Sequence, residues 1–356
     1  MHVRDEPSAS PTDGGREPPR RRSGAFGVLA RLGFGVAVFA VVAYFVDIRE
    51  SLRALAALDL GFVLLGLACV AASRMLMGLK WWLLLGGRKA AVSYPTVLRV
   101  LLLSNFHGLL FPNTVAIDAL RVALLRHHPQ GVTHMAGTVL ADRMVNIVVT
   151  ALIALFGVFL LTMLPDAPRV ETPVLYGSAG AAFAVLVAVA ALRSRRLFEV
   201  GIRLSRKFMS KGPLNRPITR IIGGIDSMHL SMTMLLNQPA LLIRAAAIAV
   251  AVVASRIGLI YFLFLAIGFP VAYLAVAALF PIVSLIALLP ISLMGFGVKD
   301  GAFVVFFGAA GVPASLALAV SFATYGVVIA CSLVLGLLAT LIGPPLPQAR
   351  ESSGPG

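Results

Sequence analysis

Eight ionisable residues lie inside long apolar stretches of the chain: Arg74, Asp118, Arg121, Asp142, Arg143, Arg256, Lys299 and Asp300. At the centre of a bilayer each would cost about 2.5–3.5 kcal/mol on insertion scales, so eight left alone would cost roughly 20–28 kcal/mol. A folded chain is stabilised by only about 5–15 kcal/mol, so these groups must be paired, hydrated or both. Five are basic and three acidic, which leaves two surplus positive charges. A hydrated cavity with that bias attracts an anion. Pairing alone is the alternative for individual members. Asp118 and Arg121, three apart on a helix, can neutralise each other, and Asp142 with Arg143 can sit at a membrane surface. Lys299 and Asp300 are adjacent, point in different directions and need other partners.

The elements that carry these groups are membrane spans. The 356 residues are 59% hydrophobic and 13% charged, with a mean hydropathy of +0.94. Soluble domains carry about 25% charged residues, which excludes that class and disorder alike. The net charge of +15 sits mostly in loops, where positive-inside bias and anionic lipid explain it better than nucleic acid. Cys69 and Cys331 lie in apolar runs, without metal spacing or reason for a disulfide.

Apolar periodicity predicts an all-α polytopic membrane protein. It has six full spans, at about 25–46, 60–85, 136–164, 173–192, 240–267 and 314–342, and two broken re-entrant hairpins. The first hairpin covers Tyr94 to Leu125 and breaks at Pro112 and Asn113; basic residues flank both its ends. The second covers Val271 to Gly311, breaks at Pro290 and continues through Gly295 and Gly297. Irregular backbone at membrane depth needs protein or water around it, so both breaks predict a cavity. The segment Asp47 to Asp59 reads as a short polar link, and Trp81-Trp82 as an interfacial aromatic anchor beside Lys80, Arg88 and Lys89 at a cytoplasmic end. Arg31 and Arg244, near span ends, snorkel.

Residues 1–24 and 344–356 read as disordered tails around a membrane domain at 25–343. A basic cytoplasmic loop with an interfacial helix spans 193–238. From Arg193 to Arg220 that loop carries nine basic residues against Glu199 alone, which sets topology or holds phospholipid head groups. Both termini are expected in the cytoplasm, in a cell (plasma or inner) membrane.

The order span, hairpin, span occurs twice with opposite starting sides, as in inverted-repeat transporters. The triplet Ala72-Ser73-Arg74 recurs as Ala254-Ser255-Arg256, 38 and 34 positions before the respective prolines, Pro112 and Pro290. There is no Gly-rich phosphate loop, nucleophile elbow or metal-ligand pair, so neither an enzyme nor a cofactor is expected.

Pro112 with Asp118 and Arg121, then Val139-Leu140-Ala141-Asp142-Arg143, then Leu289-Pro290-Ile291-Ser292 through Gly295-Phe296-Gly297-Val298-Lys299-Asp300-Gly301-Ala302 together resemble the lysylphosphatidylglycerol synthase transmembrane family. This flippase-like domain also forms the membrane part of the multiple peptide resistance factor. The likeness covers roughly residues 25–343, and its third motif is the most specific. The chain departs from the family at Ala116-Ile117, where Gly-Gly is usual, at Asp142-Arg143 for Glu-Arg, and at Lys299-Asp300 for Arg-Glu. Charge signs survive, but each acid is a methylene shorter and the bidentate fork is lost at position 299.

The resemblance and the buried charges together imply a protein that binds and translocates an anionic phospholipid or a lipid-linked (polyprenyl-phosphate) precursor. Arg74, Arg121, Arg256 and Lys299 would hold the head group, and Asp118, Asp142 and Asp300 would orient them or carry coupling protons. Arg143, Asn113, Pro112, Pro290, Gly295 and Gly297 would lie near the site. The alternatives are a membrane enzyme acting on a lipid phosphate and a non-transporting scaffold of a glycosyltransferase or lipid synthase. A second copy, or such an enzyme, is the protein partner to expect.

Overall fold

The computed structural model describes residues 48–87, 92–109, 114–126, 131–164, 170–193, 233, 237–288 and 297–342. The first span, both proline breaks (Pro112, Asn113, Pro290 and Gly295 among them), the interior of the basic loop and both tails lie outside the described residues. Every regular element among the described residues is a helix.

A short helix α1 (Ile48–Ala56) leads into α2 (Leu60–Leu84), α3 (Tyr94–Gly108), α4 (Thr114–Leu124), α5 (Gly131–Met163) and α6 (Thr172–Arg193). The second half holds α7 (Pro239–Ala266), α8 (Tyr273–Ile286), α9 (Val298–Gly308) and α10 (Ala314–Ile342). Four of these, α2, α5, α7 and α10, are long and apolar enough to cross a membrane; α6 contributes a shorter apolar run, Thr172–Val187. The protein is thus a multi-pass membrane protein, with each described span within a few residues of its expected place.

Local chemistry sets the helix ends. Asp59 caps α2, its carboxylate accepting the Gly61 amide at 2.7 Å. Pro239 opens α7, where its missing N–H costs nothing, and Gly268 just past its end adopts φ +75°. The expected polar link before α2 is instead α1. Glu50 and Arg53 suit its opposite ends, and the fully buried Ser51 hydroxyl donates to the Ser315 carbonyl at 2.8 Å.

The packing repeats by two-fold symmetry. Helices α2, α3, α4 and α5 (25, 15, 11 and 33 residues) match α7, α8, α9 and α10 (28, 14, 11 and 29 residues). The most extensive interface joins the equivalent helices α2 and α7. They run antiparallel, since Gly66 approaches Leu259 and the Asp59 amide donates to the Ala266 carbonyl at 2.9 Å. Each hairpin packs on the last helix of the opposite repeat, α3 on α10 and α8 on α5. Both contacts depend on a glycine. A Cβ at Gly336 would lie 2.4 Å from Phe106, and one at Gly157 would lie 2.6 Å from the Ala278 backbone. Small residues at such crossings let helices pack closely where the surroundings are as apolar as the interface.

The two hairpins enter from opposite ends. One end of the molecule gathers the α1–α2, α5–α6, α7–α8 and α9–α10 connections: the Glu171 amide donates to the Ala309 carbonyl at 3.2 Å, beside the Ser51–Ser315 and Asp59–Ala266 contacts. The other end holds the α2–α3 and α4–α5 connections and the α10 terminus. There Arg99 donates to the Ala339 carbonyl at 2.9 Å, and Leu85, Val92, Leu125 and Met135 share one cluster. The repeat is therefore inverted.

Candidate functional site

The crossing of α2 and α7 brings the repeated triplets together. Ser73 and Arg74 from one, and Ser255 and Arg256 from the other, line a single half-open cavity of about 210 Å³ together with Val70, Leu259, Phe280, Ser284, Thr324 and Val328. Ser255 and Thr324 donate their protons to carbonyls one turn back, Ala251 and Val320. Arg74 donates to Asn105 Oδ1 at 3.0 Å, and Arg256 donates to Met77 Sδ at 3.4 Å. Among the described residues neither arginine has a carboxylate within 4.0 Å.

The carboxylates nearby serve other cations. Asp142, 4% exposed, pairs with Lys80 Nζ at 3.1 Å. Lys80 is itself 0% exposed and also reaches the Asp142 carbonyl and Asn146 Oδ1, both at 3.4 Å. Asp118 pairs with Arg143 Nε through one oxygen and with Arg121 Nη1 at 3.7 Å through the other. Arg121 is buried over the Trp81 ring, 5.8 Å from its centroid, with its Nε unpartnered. Arg74, Lys80, Arg121, Arg143 and Arg256 lie within electrostatic range of one another or of Asp118 and Asp142. Five cations thus face two carboxylates, a surplus of three: Arg74 and Arg256 have no carboxylate within 4.0 Å among the described residues, and Arg121 and Arg143 share Asp118.

Lys299 and Asp300 form a separate station on α9. Gly297 starts that helix at φ +79°, a conformation favouring glycine, and its amide donates to Asp300 Oδ2 at 3.0 Å. Ser321 donates to Asp300 Oδ1 at 2.6 Å, so the fully buried carboxylate ties α9 to α10. The Lys299 ammonium sits over the Tyr325 ring, 4.0 Å from its centroid, and 5.5 Å from that of Phe303. The charge it senses is that of Asp300 rather than the arginine cluster. The neighbouring acid and base do point apart.

Two readings of the sequence need correction. Lys80 does not mark a loop but closes a buried ion pair, because α2 continues past it against α5. Trp81 is 0% exposed and donates to Thr138 Oγ1 at 3.2 Å, so it belongs to the interior and not to an interfacial belt. Asp142 and Arg143, rather than pairing with each other, face Lys80 and Asp118 on neighbouring helices. Arg244 is exposed, as a snorkelling residue should be. Lys80, Asn105, Asn146, Ser284 and Thr324 are among the polar residues of this centre that the sequence reading left out of the site. Met144, Val145, Leu152, Leu186, Leu242 and Ala246 line a second, apolar cavity of about 390 Å³ between α5, α6 and α7.

A search of the curated proteins finds no match to the chain. The model of one family, described as the lysylphosphatidylglycerol synthase TM region, matches residues 28–338, an interval that includes the first repeat, all but the last turn of the second and every charged residue of the arginine cluster. With the inverted repeat, the paired hairpins and the matched interval in agreement, the chain belongs to the lysylphosphatidylglycerol synthase transmembrane family.

Proposed function

We propose that the protein binds the head group of an anionic lipid between Arg74 and Arg256 and carries it across the bilayer without changing its covalent structure. One observation carries this reading: two arginines, equivalent in the two repeats, line one cavity with no carboxylate partner among the described residues. Inverted-repeat transporters place substrate at the repeat interface near the membrane midplane, because rocking one repeat against the other then opens the same site to either side. The apolar cavity beside α7 suits the hydrocarbon part of the same amphiphile. The paired cations Lys80, Arg121 and Arg143 hold α2, α4 and α5 in register, while Lys299 and Asp300 set the second hairpin on α10. The cell membrane, with the basic loop and both termini in the cytoplasm, is the setting this reading assumes.

Reconstitution tests it. Purified protein in vesicles should move labelled anionic lipid between leaflets with the lipid's mass unchanged. Arg74→Gln and Arg256→Gln should each lower the rate at least about tenfold, the loss of one charge-assisted contact, while Arg244→Gln should match the parent. A chemically altered lipid with no leaflet movement would reassign the protein to the lipid-phosphate enzymes.

A further inference from the structure

We infer that the head group held at the repeat interface is a phosphomonoester dianion, and that phosphodiester lipids are poor ligands of the same cavity. This rests on the proposed head-group site and narrows it by charge and by oxygen count.

Charge comes first. Each carboxylate of the cluster already faces a cation, Asp142 facing Lys80 and Asp118 facing Arg121 and Arg143. The remaining acids among the described residues are Glu50, Asp59, Glu171 and Asp300. The first three stand on α1 or at helix starts, and Asp300 is held by Ser321 and Gly297. The two segments that bridge the hairpin breaks, 110–113 and 289–296, contain no ionisable residue. Among the described residues, Arg74 and Arg256 therefore present two positive charges with no carboxylate within 4.0 Å, which a bound anion would neutralise. A phosphodiester brings one negative charge and leaves one guanidinium desolvated without a counter-charge, a costly arrangement. A doubly ionised phosphomonoester balances both.

Oxygen count points the same way. A guanidinium recognises phosphate best through two parallel N–H···O bonds. Two forks approaching one phosphorus spread best over three terminal oxygens, with one oxygen shared. A monoester has three, whereas a diester has two. The pseudo-two-fold axis matters here, because it presents the same Ser-Arg pair from both sides.

Binding to the full-length protein in nanodiscs separates the possibilities. The assay should run at pH 8, where a phosphomonoester with a second pKa of about 6 is doubly charged. Phosphatidate should bind at least about tenfold tighter than phosphatidylglycerol of identical chains, the least that one extra charge-assisted contact supplies. Arg74→Lys, which keeps the charge and removes the fork, should shrink that preference, and Arg256→Lys should do the same. The parent comparison stands even if a variant folds poorly. Equal binding of both lipids, displaced by Arg256→Gln, would overturn the dianion assignment and leave the lipid site intact. Binding of neither lipid would overturn the site as well. Glycerol 3-phosphate binding as tightly as phosphatidate would keep the dianion and overturn its lipid source.

Discussion

At the scale of single residues, the ion pairs and the two cavity arginines make opposite predictions. Lys80→Met leaves Asp142 buried without its cation and should destabilise the protein by about 3–5 kcal/mol, read from denaturation in detergent. Adding Asp142→Leu should recover most of that loss, since a buried pair replaced by apolar groups is often neutral. Changes at Arg74 and Arg256, which have no carboxylate within 4.0 Å among the described residues, should cost function more than stability. The sequence made this contrast only half legible. The Ser-Arg echo between α2 and α7 exposed the two arginines, because a repeat is visible without knowing any contact. Lys80 was hidden: its acid stands 62 positions away, and a lysine near a span's end beside other basic residues reads as a topology signal. Asp118 was matched to Arg121 by their spacing of three, but the contact with Arg143 crosses from α4 to α5 and leaves no local mark.

At the scale of elements, the helices were legible and their crossings were not. Long apolar runs and prolines fix where spans begin and break, so α2, α5, α6, α7 and α10 fall within a few residues of expectation. Helix α1 was read as a link because its charged residues, Arg49, Glu50 and Arg53, drew more notice than the apolar face of Ile48, Leu52 and Leu55. Which glycines lie at crossings depends on tertiary contacts, and these can be tested. Gly157→Val places side-chain atoms against the Ala278 backbone, which cannot yield, and should destabilise by about 1–3 kcal/mol or more. Gly180→Val, on α6 with nothing within 4 Å, should stay close to the parent. Thermal unfolding of both variants in the same detergent decides it. Equal melting temperatures would mean that α5 and α8 are not in contact as described.

At the scale of the whole molecule, the inverted repeat predicts sidedness. Cysteines introduced at 168 and 312 in a Cys69→Ser, Cys331→Ser background should react with an impermeant label from one face of the membrane, and those at 127 and 200 from the other. The Glu171–Ala309 contact requires the first pair to agree whichever face is cytoplasmic. Labelling of 168 and 312 from opposite faces would break the two-fold arrangement.

That arrangement also has a consequence for how the chain is made. Each hairpin is supported by the last helix of the other half, so α3 has no α10 to rest on until about 200 further residues have been synthesised. At about 5–20 residues per second this is a wait of roughly 10–40 s. During it, the first hairpin and its charged groups must be sheltered by the insertion machinery or by lipid head groups. Neither half is a finished folding unit by itself, and α10 arrives as the clasp that completes the first half as well as the second.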